Sequence, residues 1–210
     1  MTNARQAGQG PADLILTGIC KSFGGHTVLK DLSLCFPAGE ISCVMAPSGA
    51  GKTTLLRILM GLETADAGEI RGMEGQRVGA VFQEDRLLPW ATAAGNIRLV
   101  SPALTKEEIR GAFLASGLSG SEEQPVSELS GGMARRVALL RALLAENDVL
   151  LLDEPFKGLD EETRRMVIDC LLHLRAGRTA IVVTHDEKEA GALGARIFTL
   201  PLLQEEGGQV

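Results

Sequence analysis

The segment Ala46-Pro47-Ser48-Gly49-Ala50-Gly51-Lys52-Thr53-Thr54 constrains this chain more than any other. The apolar run Ile41 to Met45 precedes it and reads as a buried strand. Leu55 to Met60 follows and reads as a helix stopped at Gly61. A strand, a loop of small residues and a helix opening on Gly-Lys-Thr is the layout of a phosphate-binding loop. Small residues let backbone N–H groups turn inward around a phosphate, and the helix N-terminus adds free N–H groups and its positive dipole end. Lys52 would reach the β- and γ-phosphates as a point charge, and the Thr53 hydroxyl would ligate Mg²⁺. The pattern Gly-x-x-x-x-Gly-Lys-[Ser/Thr] is broken at its first position by Ala46. If that position needs φ > 0, alanine costs on the order of 1 kcal/mol or more. If it does not, alanine is harmless. The plainer alternative is an ordinary glycine-rich turn between strand and helix.

A chain of 210 residues, 45% of them apolar, can bury one large domain or two small lobes. Aromatic residues are 3% and tyrosine is absent, so the core must be aliphatic. A net charge of −6 argues against general nucleic-acid binding and gives no attraction to an anionic membrane. Cys20, Cys35, Cys43 and Cys170 show no metal-type spacing and read as buried, reduced thiols of a cytosolic protein. No run approaches the ~20 apolar residues that span a bilayer. Residues 1–11 are polar and glycine-rich, carry no signal-peptide segment, and read as a disordered tail.

Leu14 to Ile19 reads as a strand, Lys21 to His26 as a turn and Thr27 to Phe36 as a further strand. Pro37 to Glu40 is a tight turn into the strand before the loop. These pieces predict an antiparallel layer. Phe23, at a loop tip beside two glycines, could stack on a purine or belong to the core. Glu63 to Glu69 reads as a loop, and Val78 to Phe82 as a buried strand ending at Gln83. Leu87, Leu88 and Trp90 then fall in a proline-containing stretch, either as a partner contact or folded under nearby helices.

From about Thr92 to Leu144 helical periodicity dominates. Thr105 with Glu108 is a capping box opening a helix over Lys106 to Ser116. Leu129-Ser130-Gly131-Gly132-Met133 leads into a helix over Ala134 to Leu144, read as amphipathic. Its Ser-Gly-Gly start is either a second anion site or a simple cap at Ser130. Val149 to Leu152 is a continuous apolar run ending in Asp153 and Glu154. In an open parallel sheet, chemistry sits beyond the carboxyl ends of strands. One carboxylate there can hold Mg²⁺ through water while its neighbour acts on a nucleophilic water. A helix capped by Asp160 runs to Arg175, a strand over Thr179 to Thr184 ends at His185, and Arg196 to Leu200 is the last strand.

Together these segments resemble the ATP-binding-cassette (ABC) ATPases over nearly the whole chain. The order is the phosphate loop, Gln83, the Leu129–Met133 signature, the Val149–Asp153 strand with Glu154, Gly158-Leu159-Asp160, and His185. The resemblance implies an α/β P-loop fold with a mostly parallel core sheet, an antiparallel β layer and a helical subdomain. It implies one ATPase domain over residues 12–205, with its core in 12–84 and 145–205 and the helical subdomain in 85–144. It implies that Phe23 stacks on adenine, that Val28 also contacts the nucleotide, and that Ala46, Pro47, Ser48, Gly49, Ala50, Gly51, Lys52, Thr53 and Thr54 hold ATP. Thr53 and Gln83 would ligate Mg²⁺, with Asp153 holding it through water. Glu154 would be the general base, Lys52 would stabilise developing charge, and His185 would contact the γ-phosphate. Ser130, Gly131 and Gly132 would act on ATP held by a second subunit, with Asp160 at the seam of a head-to-tail dimer.

Two departures, Ala46 and Met133 where the family has Gly and Gln, imply slower or weaker nucleotide use. The stretches Val81 to Trp90 and Asp153 to Asp160 look most like importer ATPases of the nitrate/sulfonate/taurine group. That likeness implies a permease docked at Gln83–Trp90, a place on the cytoplasmic face of the cell membrane, and a homodimer or a paralogous second subunit. The chain stops soon after its last strand, so the C-terminal regulatory domain of many sugar-importer ATPases is not expected. The competing readings are a soluble ABC ATPase of assembly, repair or translation, and a nucleotide sensor without turnover.

Overall fold

The computed structural model describes residues 12–202. The tail expected over 1–11, and positions 203–205 of the expected domain, lie outside the described residues. Strands β1 (Leu14–Phe23) and β2 (His26–Phe36) form a hairpin turning on Gly24 and Gly25, both at positive φ. β3 (Ile41–Met45) leads to α1 (Lys52–Leu59), then β4 (Ala67–Arg71) and β5 (Val78–Val81). Helices α2 (Ala93–Arg98), α3 (Lys106–Ala115) and α4 (Gly131–Leu144) follow. The chain then alternates through β6 (Val149–Asp153), α5 (Glu161–Leu174), β7 (Thr179–Val183), α6 (Glu187–Ala192) and β8 (Arg196–Thr199).

The central sheet has five parallel strands in the order β5-β6-β7-β3-β8. Every residue of β6 and β7 is buried, as expected of strands covered on both faces. Val44, Leu151, Ile181 and Val183 face one core, with Leu55, Leu56 and Leu59 of α1 and Leu14, Leu16 and Phe36 of the hairpin. Cys43, Leu150, Leu152 and Val182 face the other, with Leu139 and Leu143 of α4 and Val167 and Leu171 of α5. A third cluster joins α2, α3 and α4 through Ile97, Ile109, Phe113, Val137 and Leu140. The expected antiparallel layer is the three-stranded sheet β2-β1-β4.

Several expectations are corrected. The turn expected over Lys21 to His26 is only Gly24-Gly25, because Lys21 and Ser22 pair with Leu29 and Thr27. Glu63 to Glu69 is not all loop. Ala67 opens β4, which pairs with β1 through Leu16↔Ile70 and Thr17↔Glu69. Gly68 permits this pairing, since a Cβ there would stand 2.5 Å from the Gly18 carbonyl oxygen. The helix α4 is buried around most of its circumference, not on a single face, because it lies between the central sheet and the helical cluster. Of the four cysteines only Cys43 and Cys170 are buried; Cys35 is exposed on β2. Burial pushes the Cys43 thiol up to about 12 and that of Cys170 to about 11.

Candidate functional site

The sheet register places four strand ends at one edge. Val44 and Asp153 are both level with Val183, and Val81 is level with Leu152. The chain leaves these ends into the Ala46–Thr54 loop, Phe82-Gln83, Glu154 and Thr184-His185. In the loop, Gly49 and Gly51 have φ of 84° and 83°. Ala46 does not have positive φ, and its methyl group packs into the core. The conformational penalty considered for alanine therefore does not arise.

Lys52 Nζ donates to the carbonyl oxygens of Ala46, at 2.5 Å, and Pro47, at 2.8 Å, which holds its charge over the loop. Thr53 Oγ1 donates to Asp153 Oδ2 at 2.9 Å. Burial raises the Asp153 carboxyl above its ordinary range, against the opposing bond from Thr53. Glu154 has φ of 47°, a left-handed conformation rare outside glycine. Its carboxylate pairs with Lys157 Nζ at 2.8 Å and lies 3.7 Å from His185 Nδ1. The bond from Lys157 is the main cause holding it below the usual carboxylate range.

A cleft of about 290 Å³ is lined by Val28, Ser48, Gly49, Gly51, Lys52, Thr53, Thr54, Gln83, Asp153 and Glu154. Ala46 and Ala50 pack their side chains into the core beneath the loop, and Pro47 is exposed. Phe23 does not line the cleft. It stands at the tip of the β1–β2 hairpin, 46% exposed, with Lys21 Nζ 5.0 Å from its ring centre. Of its two readings, the core one is therefore excluded. His185 stands at the rim with an exposed ring. A larger hollow of about 350 Å³ lies at the opposite sheet edge, beside Asn147, Arg178 and Thr179, and is lined by none of the residues expected to hold nucleotide or metal.

No residue of the Ser130–Gly132 turn lines the cleft. Ser130 caps α4, its hydroxyl accepting from the Met133 N–H at 3.2 Å, and the Met133 side chain packs on the helical cluster. Leu87 folds against the helical cluster, as the second reading of that stretch has it, whereas Trp90 is 78% exposed.

Among the described residues no three His, Cys, Asp or Glu side chains are grouped to hold a metal. The hydroxyl of Thr53, the carboxylate of Asp153 and the neighbouring Gln83 amide are hard oxygen donors. Mg²⁺ uses such sets, with one or two carboxylates and the substrate's phosphates completing the shell. The donor set therefore fits Mg²⁺.

Reading the sequence passed over Arg135. It is 4% exposed and bonds to backbone beside both Gln83 and Glu154. The only hint is its place among apolar helix neighbours, which does not separate a buried arginine from one whose stem lies along a surface.

Residues 29–157 match the family model described as ABC transporter. The chain is 44% identical over 183 residues to "Aliphatic sulfonates import ATP-binding protein SsuB 1" of Pseudomonas savastanoi pv. phaseolicola, covering 86% of this chain and 77% of that protein. It is 42% identical over 200 residues to "Aliphatic sulfonates import ATP-binding protein SsuB 2" of Agrobacterium fabrum, covering 91% and 77%. Among solved structures it is similar to the dimeric structure of MJ0796, a bacterial ABC transporter cassette. The TM-score there is 0.76 at 30% identity, covering 89% of this chain and 94% of that one. A post-hydrolysis state of MJ0796 bound to ADP and Pi is similar to the same degree.

Proposed function

We infer the function from one premise: the chain belongs to the ABC transporter family, among the ATPase subunits of its sulfonate, nitrate and taurine importers. It binds and hydrolyses ATP to drive import through a separate permease. We propose that the solute is an aliphatic sulfonate, and that the chain works as a head-to-tail dimer on the cytoplasmic face of the membrane. No helix among the described residues is long and apolar enough to cross a membrane. The exposed Trp90, with Leu99 and Val100 also exposed after α2, supports a permease contact at the helical layer.

The observation that carries the assignment of roles is the convergence of Lys52, Thr53, Gln83, Asp153 and Glu154 on one cleft, with Thr53 and Asp153 in contact. The loop N–H groups and Lys52 hold the phosphates and balance the charge that builds on them. Thr53, Gln83 and Asp153 would hold Mg²⁺, which would neutralise charge on the phosphate oxygens when bound. Glu154, kept ionised by Lys157, takes the proton of the attacking water, and His185 orients the γ-phosphate from the rim. Ser130, Gly131 and Gly132 reach the ATP of the second subunit, and Phe23 and Val28 contact the base and sugar end. Replacing Glu154 by Gln keeps the shape and removes the base. ATP binding by Glu154→Gln is expected to persist, with turnover down about 10²–10⁴-fold. A parental rate from that variant would remove Glu154 from the role of base.

A further inference from the structure

Arg135 belongs to none of the motifs that define the site, yet its guanidinium joins two of them. Nη1 donates to the Phe82 oxygen at 2.5 Å and the Gln83 oxygen at 3.4 Å, and pairs with Asp85 Oδ1 at 2.8 Å. Nη2 donates to the Asp153 oxygen at 2.6 Å and the Glu154 oxygen at 2.7 Å. One nitrogen serves the loop after β5 and the other serves the end of β6.

Stability alone is a poor account of this side chain. A buried ion pair is often matched or bettered by apolar residues of similar volume. Here Nε is also buried without a partner, a further cost. Geometry supplies another account. Glu154 sits in a left-handed conformation, which persists only where its surroundings over-determine it. Its N–H donates to the Val183 oxygen at 3.0 Å, and its carbonyl is held by Arg135. The residue is thus clamped on both sides of its Cα. Arg135 also lies on α4, little more than one helical turn beyond Ser130.

We propose that Arg135 is a positioning residue for ATP hydrolysis: it fixes Glu154 and the Gln83 loop to each other and to α4, so that the carboxylate meets the water in reach of the γ-phosphate. The proposal rests on the reading of Glu154 as the base. The planar guanidinium presents two separate nitrogens, one to each acceptor group in a fixed geometry, whereas a lysine ammonium presents a single nitrogen on a flexible stem.

The test uses the full chain with Arg135→Gln, Arg135→Lys and Glu154→Gln. Thermal midpoint, affinity for a fluorescent ATP analogue, and kcat and KM at saturating Mg²⁺ are measured for each. Arg135→Gln is expected to fold and bind nucleotide within about threefold of the parent while kcat falls roughly 10- to 100-fold, the scale of a small misplacement of a reacting group. Arg135→Lys is expected to recover part of that loss. A parental kcat in Arg135→Gln overturns the proposal. So does a kcat that falls only together with affinity and midpoint, or a failure of both variants to fold, since either makes Arg135 a brace of the fold. Turnover in Glu154→Gln reports on the base separately. If it stays parental, the assignment of Glu154 has failed; if it is lost while Arg135→Gln is normal, only the positioning role has failed.

Discussion

At Gly51 an added Cβ would stand 2.7 Å from Leu29 Cδ2 and 2.9 Å from the Val28 carbonyl oxygen, on a backbone at φ 83°. Both sterics and conformation demand glycine there. Gly51→Ala is expected to lose about 1–3 kcal/mol of stability. Because the atoms met belong to Val28 and Leu29 of β2, and both Gly51 and Val28 line the cleft, ATP affinity should fall with it, as a nucleotide titration beside a thermal melt would register. Ala46→Gly is the informative contrast. Ala46 keeps an ordinary backbone and packs its methyl into the core. Its replacement is expected to lower stability by about 1 kcal/mol and leave ATP affinity within about twofold of the parent. A large gain in ATP affinity from Ala46→Gly would show that alanine does handicap the loop.

At the scale of elements, local signals and tertiary pairing decided different things. The helix α3 is announced by its own residues. Thr105 Oγ1 accepts from the Glu108 N–H at 3.2 Å and Glu108 Oε2 accepts from the Thr105 N–H at 2.8 Å, as Thr-x-x-Glu predicts. Thr105→Ala is expected to cost about 1 kcal/mol. The thermal midpoint should drop by a few degrees with kcat unchanged, since α3 carries no residue of the cleft. Strand β4 has no such local signal. Asp66-Ala67-Gly68 has turn composition, and only the pairing with β1 extends it. Helix α4 departs from its expected single apolar face for a related reason. Its periodicity does not report that two separate layers cover it.

Over the whole molecule, acid stability follows from carboxylates held below their ordinary range. Asp66 is lowered first by the Ser22 N–H and then by Lys21, Glu108 by Thr105, and Asp160 by the Thr163 N–H. A carboxylate depressed in the folded state contributes stability above its unfolded pKa and loses it as pH falls through the folded one. These groups start from 3.8 for Asp and 4.5 for Glu. The thermal midpoint should therefore hold from neutrality down to that range and fall below it. Asp66→Asn is expected to make the acid limb shallower. A midpoint already falling steeply near neutrality would show that other groups dominate. Asp153 acts in the opposite sense, since burial raises its carboxyl and protonation relieves the cost of charge there.

By itself the sequence determined the phosphate loop, the apolar strands of the parallel sheet, the Asp153-Glu154 pair, the helix caps and the family. Each is written in neighbouring residues: a spacing, an apolar run, or a cap and its partner three positions on. Tertiary structure decided the rest. The level ends of β3, β5, β6 and β7 bring Lys52, Gln83 and Glu154 to one edge, although up to about a hundred residues separate them. Ala46 carries no backbone strain because its φ is not positive, and φ is not spelled by residue type outside glycine and proline. Arg135 is a clamp because Phe82, Gln83, Asp153 and Glu154 present their carbonyl oxygens to it. Backbone carbonyls are the same in every residue, so no sequence pattern marks where they converge.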